Sequence, residues 1–236
     1  WCRRHMIKYG TTSEQLGILA VTFRGNAALN PRAMQRQPIT MDDYMSARPI
    51  VDPFRMLDIC LESDGACAVL VTSAERAQDM RHAPVYVMSG ANGGGANQGD
   101  DLFDCLRWED HSENYSAYIA HDLWGGAGIG PEDIDVAEIY DCFTYSVVAQ
   151  LEGLGFCKPG EGPNFVQGGR IARDGALPLN THGGLLSEAY IHGLNHVVEA
   201  VDQLRGDAGP RQVPGAEIAL TTAGAMTVGS ALVLRN

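Results

Sequence analysis

Positive charge is what this sequence has least of. Its 236 residues include 17 Lys and Arg against 29 Asp and Glu, a formal charge of −12. Nucleic-acid binding draws on an excess of cations that neutralise phosphates, and that excess is missing. Long apolar runs are missing too. The longest apolar-looking uncharged run, 218–234, is broken by Gly224, Gly229 and Ser230, which suits two strands and a turn better than a membrane helix. The basic start Trp1-Cys-Arg-Arg-His-Met-Ile-Lys-Tyr-Gly10 has no apolar segment behind it, so no signal peptide is expected. Cys2, Cys60, Cys67, Cys105, Cys142 and Cys157 form no CxxC pair, which argues against a zinc site or a disulfide framework. A reduced, cytoplasmic chain without a metal is expected. Apolar residues make up 45% and charged residues 19%, a globular rather than a disordered balance. Position 1 is Trp, and Met6 sits inside a helix-like stretch, so the sequence is expected to begin within a longer protein.

What is present alternates between helix and strand patterns. Thr12-Ser-Glu-Gln15 is a capping box and predicts a helix over 13–30, stopped by Pro31, with Leu16, Leu19, Ala20 and Phe23 as its apolar stripe. Thr40-Met-Asp-Asp43 predicts a second start of the same kind. Residues 66–72, behind the Asp64-Gly65 turn, predict a buried strand, and 84–89 another. Residues 90–99 hold five glycines and predict a loop. The neighbouring Asp100, Asp101 and Asp104, with no GxGxxG or Walker pattern, argue against a phosphate cradle there. Helices are predicted over 114–124, 143–154 and 187–204, strands over 136–140, 218–222 and 230–234, and a surface loop over 156–176. The class is therefore α/β with a layered sheet.

Three stretches place unusual residues at element ends. Glu138-Ile-Tyr-Asp-Cys-Phe-Thr-Tyr145 spans a strand-to-helix junction, where sites collect in layered α/β folds. Asn180-Thr-His-Gly-Gly-Leu-Leu-Ser-Glu-Ala-Tyr-Ile-His-Gly193 combines a glycine pair, which lets backbone approach closely, with a crowd of polar groups. Thr221-Thr-Ala-Gly-Ala-Met-Thr-Val-Gly-Ser230 reads as a hairpin tip.

These stretches, together with Arg3-Arg-His-Met-Ile-Lys-Tyr-Gly-Thr-Thr12, Ala27-Ala-Leu-Asn-Pro-Arg-Ala33 and Asp64-Gly-Ala-Cys-Ala-Val-Leu-Val-Thr-Ser-Ala-Glu-Arg-Ala77, resemble the C-terminal half of the thiolase superfamily. The branch is that of the lipid-transfer proteins (sterol carrier protein X thiolase-like), and the resemblance covers essentially the whole chain. It implies a layered αβαβα fold: a mixed sheet of about five strands with helices on each face. Residues 1–130 would be the end of the upstream half with a loop-rich connection, and 131–236 the C-terminal thiolase-like domain.

The departures from the family pattern carry the functional expectation. Tyr140 stands where condensing thiolases have Asn, or His in the lipid-transfer branch. Tyr190 stands at the His of the Gly-His-Pro-x-Gly motif. No Cys follows Cys157, so the C-terminal catalytic thiol has no counterpart. The two tyrosines, 50 residues apart, are similar to the pair of the steroid side-chain-cleaving acyl-CoA aldolases. That resemblance implies retro-aldol cleavage of a 17-hydroxy-3-oxo-pregnene-20-carboxyl-CoA to a 17-ketosteroid and propionyl-CoA. It implies Tyr140 and Tyr190 as acid and base, with His192, His182 and Asp141 in support. It implies no cofactor, coenzyme A being part of the substrate, and a homodimer core joined to a small OB-fold acyl-CoA-associated partner. CoA contacts are expected at Gly183 and Gly184 and, because the net charge repels an anion, at Arg170 and Arg173. The alternatives are an acyl-CoA thiolase of the lipid-transfer branch or a non-catalytic lipid- or CoA-binding subunit.

The chemistry is self-consistent. A base takes the proton of the tertiary alcohol, the carbon–carbon bond breaks, and an acid protonates the thioester enolate. No acyl-enzyme forms, so no thiol is needed. A phenol, with a reference pKa of about 10, serves as acid. As a base it needs a lowered pKa or a relay through His182, His192 or Asp141. His196 is expected to be structural, Cys142 a packed thiol, and Tyr145 core or rim.

Overall fold

Hydroxyl and glycine caps delimit the first helices of the computed structural model, which describes residues 1–96 and 108–236. Helix α1 (Cys2–Tyr9) stops at Gly10 in the left-handed conformation, φ 78°. Helix α2 (Ser13–Ala28) starts at Thr12, whose hydroxyl accepts from the Gln15 N–H while the Gln15 side chain accepts from the Thr12 N–H. Helix α3 (Met41–Ser46) repeats the arrangement with Thr40 and Asp43. Strands β1 (Pro49–Val51) and β2 (Phe54–Arg55) pair as a small antiparallel hairpin, and α4 (Ala74–Ala77) follows.

The main sheet has the order β3 (Tyr86–Gly94), β6 (Val228–Arg235), β5 (Ile218–Ala223), β4 (Val136–Glu138). Only β4 and β5 run parallel, so the sheet is mixed. Residues 178–180 extend its edge. Leu179 bridges Ala137 in parallel: the Ala137 N–H donates to the Pro178 carbonyl, and the Asn180 N–H donates to the Ala137 carbonyl. The expected fifth strand is thus present as a short bridge. The sheet draws β3 from before residue 130 and its other strands from after it.

Alternation along the strands builds two cores. Val136, Ala219 and Leu234 pack with Ala200 and Leu204 of α9 (Leu194–Arg205). Their neighbours Ala137, Leu220 and Val233 face the other side. There they meet Ile119 and Leu123 of α5 (Ser116–Ala127), Val147, Val148 and Leu151 of α6 (Thr144–Gly153), and Leu16, Leu19 and Phe23 of α2. Helices therefore cover both faces. No helix among the described residues is long and apolar enough to cross a membrane.

Several expectations change. Residues 66–72 form no strand. Leu70 and Val71 are 84% and 81% exposed, and no described strand lies alongside to take their backbone hydrogen bonds. The first part of the expected glycine loop, 90–94, is strand, because β6 pairs it through Gly94 and Val228. Residues 97–99 of that loop, with Asp100, Asp101 and Asp104, lie outside the described residues. The helix expected over 187–204 is two pieces. A short α8 (Gly184–Ser187) is followed by a turn through His192, φ 50°, and Gly193, φ 85°, and only then by α9. A right-handed helix does not run through two positive φ values. A four-residue helix, α7 (Gly162–Phe165), interrupts the surface loop.

Candidate active site

Strand β4 ends at Glu138, and the chain leaves the sheet for α6. Asn180, held at φ 45°, replaces the lost strand neighbour. Its Oδ1 accepts the Ile139 N–H at 2.7 Å and its Nδ2 donates to the Ile139 carbonyl at 2.8 Å. The next residue, Tyr140, is pinned three times. Its N–H donates to Thr222 Oγ1 at 2.8 Å, and its carbonyl accepts from Gln150 Nε2 at 2.7 Å and Ser146 Oγ at 3.1 Å. Gln150 Oε1 in turn accepts from the hydroxyls of Tyr115 and Thr222. Gln150 escaped the sequence reading, and Asn180 and Thr222 lie in stretches it singled out without giving either residue a role. The available signal was Ser146 and Gln150, polar residues four apart on one face of a buried helix.

Tyr190 reaches the same point from the turn between α8 and α9. The two phenol oxygens are 2.8 Å apart, and His192 Nδ1 lies 3.3 Å from Tyr190 Oη and 3.5 Å from Tyr140 Oη. Tyr140 is buried, Tyr190 half-buried and His192 exposed, so the triangle opens on its histidine side. Gly193 makes the approach possible. A Cβ there would lie 3.2 Å from the Tyr140 ring and 3.1 Å from the Ala223 methyl. Burial holds the Tyr140 phenol above its ordinary range, and the hydrogen bond with Tyr190 adds to the shift. Cys60, Cys142, Phe143, Leu185, Ala223 and Ala225 wall the pair. Burial pushes the Cys142 thiol up to about 12, so it is packing rather than a nucleophile. Tyr145 is core, its hydroxyl donating to the Ser112 carbonyl.

Asp141 and His182 lie behind the tyrosines rather than among them. Asp141 accepts from the N–H groups of Leu185, at 2.8 Å, and Leu186, at 3.3 Å, and so caps α8. Gly184, φ 65°, leaves room for that carboxylate, which a Cβ would overlap, and Gly183 abuts Ala27 of α2. Both glycines are buried in this packing. His182 Nδ1 lies 2.9 Å from Glu138 Oε2, and its Nε2 lies 3.1 Å from His196 Nδ1 and 3.5 Å from Glu188 Oε2. His196 Nε2 lies 3.4 Å from Asp141 Oδ1. Burial opposes charge on His182, but Glu188, Glu138 and Glu199 outweigh it and push its pKa up to about 9. Glu138, His182 and His196 also offer three ligand atoms within 4.8 Å of one another, a spacing compatible with a metal ion.

The two loop arginines sit elsewhere. Arg170 lies over the Phe165 ring at 4.8 Å and lines a cavity of about 300 Å³ with Pro131, Phe156 and Leu177. That cavity shares no lining residue with the walls of the tyrosine pair, and Arg173 is half-buried on the same loop. A cavity of about 610 Å³ does share Cys60 with those walls. Arg24, Arg48, Ile50, Met56 and Leu61 line it. Arg24 is buried there with its Nε donating to Ser187 Oγ at 2.9 Å.

Residues 109–236 match the family described as thiolase C-terminal domain-like. Over 233 residues the chain is 42% identical to a 17-hydroxy-3-oxo-4-pregnene-20-carboxyl-CoA lyase of Mycobacterium tuberculosis, which covers 98% of this chain and 60% of that protein. Over 235 residues it is 42% identical to a steroid side-chain-cleaving aldolase of Thermomonospora curvata, with coverages of 99% and 60%. A solved structure of an Ltp2-ChsH2(DUF35) aldolase superposes with a TM-score of 0.94 at 41% identity, over 99% of this chain and 61% of that one. The chain thus spans about 60% of the length of the curated relatives it matches.

Proposed function

Since the chain belongs to the thiolase C-terminal domain-like family and carries a tyrosine pair in that family's catalytic slots, we propose that its protein is a carbon–carbon lyase. The reaction is retro-aldol cleavage of a steroid β-hydroxyacyl-CoA of the 17-hydroxy-3-oxo-pregnene-20-carboxyl type, giving a 17-ketosteroid and propionyl-CoA. One observation carries this reading: two phenol oxygens 2.8 Å apart, with an imidazole nitrogen in reach of both and the buried Cys142 thiol beside them held protonated. Two relatives at 42% identity bear names that fit it.

The difference in burial between the two phenols supports one division of roles. Tyr140, whose burial holds its proton, is the acid that protonates the enolate carbon. Tyr190 takes the proton of the 17-hydroxyl and passes its own to His192 Nδ1, on the open side of the triangle. Breaking the C17–C20 bond then leaves the ketone on the steroid and the electron pair on the thioester. His192 serves as relay, while Asp141 and His182 act from behind.

Coenzyme A enters as part of the substrate. Its phosphates need local cations on a chain of charge −12. Arg170 and Arg173 are one candidate pair. Arg24 and Arg48, in the cavity that shares Cys60 with the tyrosine walls, are a second. Charge reversal that leaves the KM for the CoA ester unchanged removes the pair concerned. The protein is proposed to assemble as a homodimer core with a small OB-fold partner; the joint name of the Ltp2-ChsH2(DUF35) structure supports a second component, though it names neither the homodimer nor the partner's fold.

The deciding experiment incubates the full-length protein, with and without its partner, with the 17-hydroxy steroid CoA ester and reads products by mass spectrometry. A 17-ketosteroid and propionyl-CoA in equal amounts are expected. Thiolytic products that require free CoA would turn the assignment to the thiolase. Equal activity with and without partner would remove the partner's role.

A further inference from the structure

We propose that Ser63 is a positioning residue of the tyrosine pair: its hydroxyl holds the backbone of Tyr190 and so sets the Tyr190 phenol against that of Tyr140. The role assigned to it rests on the retro-aldol reading, whereas the contact rests on geometry. The Tyr190 N–H donates to Ser63 Oγ at 3.0 Å, across 127 residues of sequence. The two tyrosines are held unequally. Tyr140 has three partners for its backbone, Thr222, Gln150 and Ser146. Tyr190 stands between α8 and α9, just before the positive φ angles of His192 and Gly193, and belongs to neither helix. Its neighbours are tied to α9. Asn195 Nδ2 donates to the Ala189 carbonyl and the Leu194 N–H to the Ile191 carbonyl, both at 3.2 Å. Ser63 ties Tyr190 instead to the stretch that also holds the Tyr140 segment.

Residues 59–63 form a strap over the three segments of the site. Ile59 bridges Phe143 antiparallel. The Cys60 N–H donates to the Cys142 carbonyl at 3.0 Å, and the Leu61 N–H to the Leu185 carbonyl at 3.1 Å. Ser63 then takes the Tyr190 N–H. The strap is anchored at its start by the buried Asp58, which accepts from Thr144 Oγ1 at 2.6 Å and from the Tyr44 hydroxyl at 2.7 Å. One rigid piece of chain therefore spaces the segment that follows Tyr140 from Tyr190.

The hydroxyl is itself oriented. Its hydrogen is directed at Met34 Sδ, 3.2 Å away, which leaves an oxygen lone pair for the Tyr190 N–H. Met34 is fixed in turn, its N–H donating to the Glu188 carbonyl at 2.9 Å. Residues 188–190 are thus gripped at Glu188 by Met34 and at Tyr190 by Ser63. Gly65 closes over the next residue, where a Cβ would lie 2.6 Å from Ile191 Cδ1. Ser63 touches neither phenol, so it acts through the Tyr190 backbone. A misplacement of about 1 Å at a reacting group can cost roughly 10²-fold in rate, so partial relaxation of this turn should cost about tenfold.

The test uses full-length protein with its partner. Ser63→Ala removes the hydroxyl alone. For the steroid CoA ester, kcat should fall about tenfold with KM unchanged, because the base is displaced in the transition state while substrate contacts remain. Ser63→Thr, which keeps the hydroxyl, should recover most of the loss. In a Tyr190→Phe background Ser63→Ala should cost nothing further, since a positioning residue works only through the group it positions. A crystal structure of Ser63→Ala should show the phenol oxygens moved beyond about 3.5 Å, outside hydrogen-bond reach. Should Ser63→Ala fail to fold, Ser63→Cys, whose sulfur is a weak acceptor, takes its place in the same measurements. Wild-type kcat in the folded variant, equal losses in both backgrounds, or a Thr variant no better than Ala would overturn the proposal. So would phenol oxygens that stay in place. If wild type cleaves no steroid ester, the retro-aldol reading fails, while the crystal structure still decides whether Ser63 sets the pair.

Discussion

Replacing either phenol of the triangle by phenyl removes one hydroxyl and keeps the ring. Tyr140→Phe and Tyr190→Phe should each lower turnover by roughly 10²- to 10⁴-fold with the fold intact. Two tyrosines that serve one transition state are non-additive, so the double variant should cost little more than the worse single one. Independent structural roles would add instead, each at about 1 kcal/mol of stability with turnover barely moved. Circular dichroism alongside single-turnover kinetics separates the two patterns. Gly193→Ala tests the same site through the backbone. It demands φ 85° of a residue with a Cβ and sets that Cβ 3.2 Å from the Tyr140 ring. A loss of about 1–2 kcal/mol, read by urea denaturation, with a fall in kcat, is expected. Wild-type values for both would mean that the turn relaxes freely.

Among the elements, the break between α8 and α9 matters most. A capping box announced α2 correctly because its bonds are local, Thr12 with Gln15. Nothing local announced that the helical pattern of 187–204 would open at Tyr190 and His192. The opening depends on Asp141, 44 residues before the Leu185 N–H that it holds. Asp141→Ala should leave two buried N–H groups without a partner and cost about 1–3 kcal/mol of stability. Turnover should fall further than stability alone explains, because α8 carries the chain to Tyr190. Asp141→Asn, which keeps an acceptor, should recover most of the stability. Failure of Asn to improve on Ala would show that space, not hydrogen bonding, is what the position supplies. The strand expected over 66–72 is the converse case, an apolar run whose pattern is right and whose partner is not among the described strands.

For the whole molecule, the buried His182 makes stability depend on pH. The pKa of His182, about 9 when folded, lies above the ordinary histidine value of 6.5. The native state therefore keeps a proton that the unfolded chain releases. Its stabilisation is fully present below about pH 6.5 and is lost as pH rises through about 9, a difference of roughly 3 kcal/mol. Urea midpoints of the full-length protein should fall between pH 6.5 and 9.5, and Glu138→Gln should flatten the slope. A midpoint that rises over that interval would contradict the charge placed on His182.

The sequence by itself determined whatever rests on neighbours along the chain. That includes the capping boxes at Thr12 and Thr40, the alternation that turns Val136 and Ala137 to opposite faces, and the unusual tyrosines at two motif positions. It also singled out the stretches around Glu138, Asn180 and Thr221. The tertiary structure decided which of those residues meet. It set Tyr140 beside Tyr190 and His192, moved His182 and Asp141 behind them, and kept Arg170 in a separate cavity. It also gave parts to Gln150 and His196, outside those stretches, and to Thr222 within one of them. The physical reason is range. Caps and strand alternation are fixed within a few residues, whereas a 2.8 Å contact between residues 50 apart exists only once both segments are anchored to one sheet.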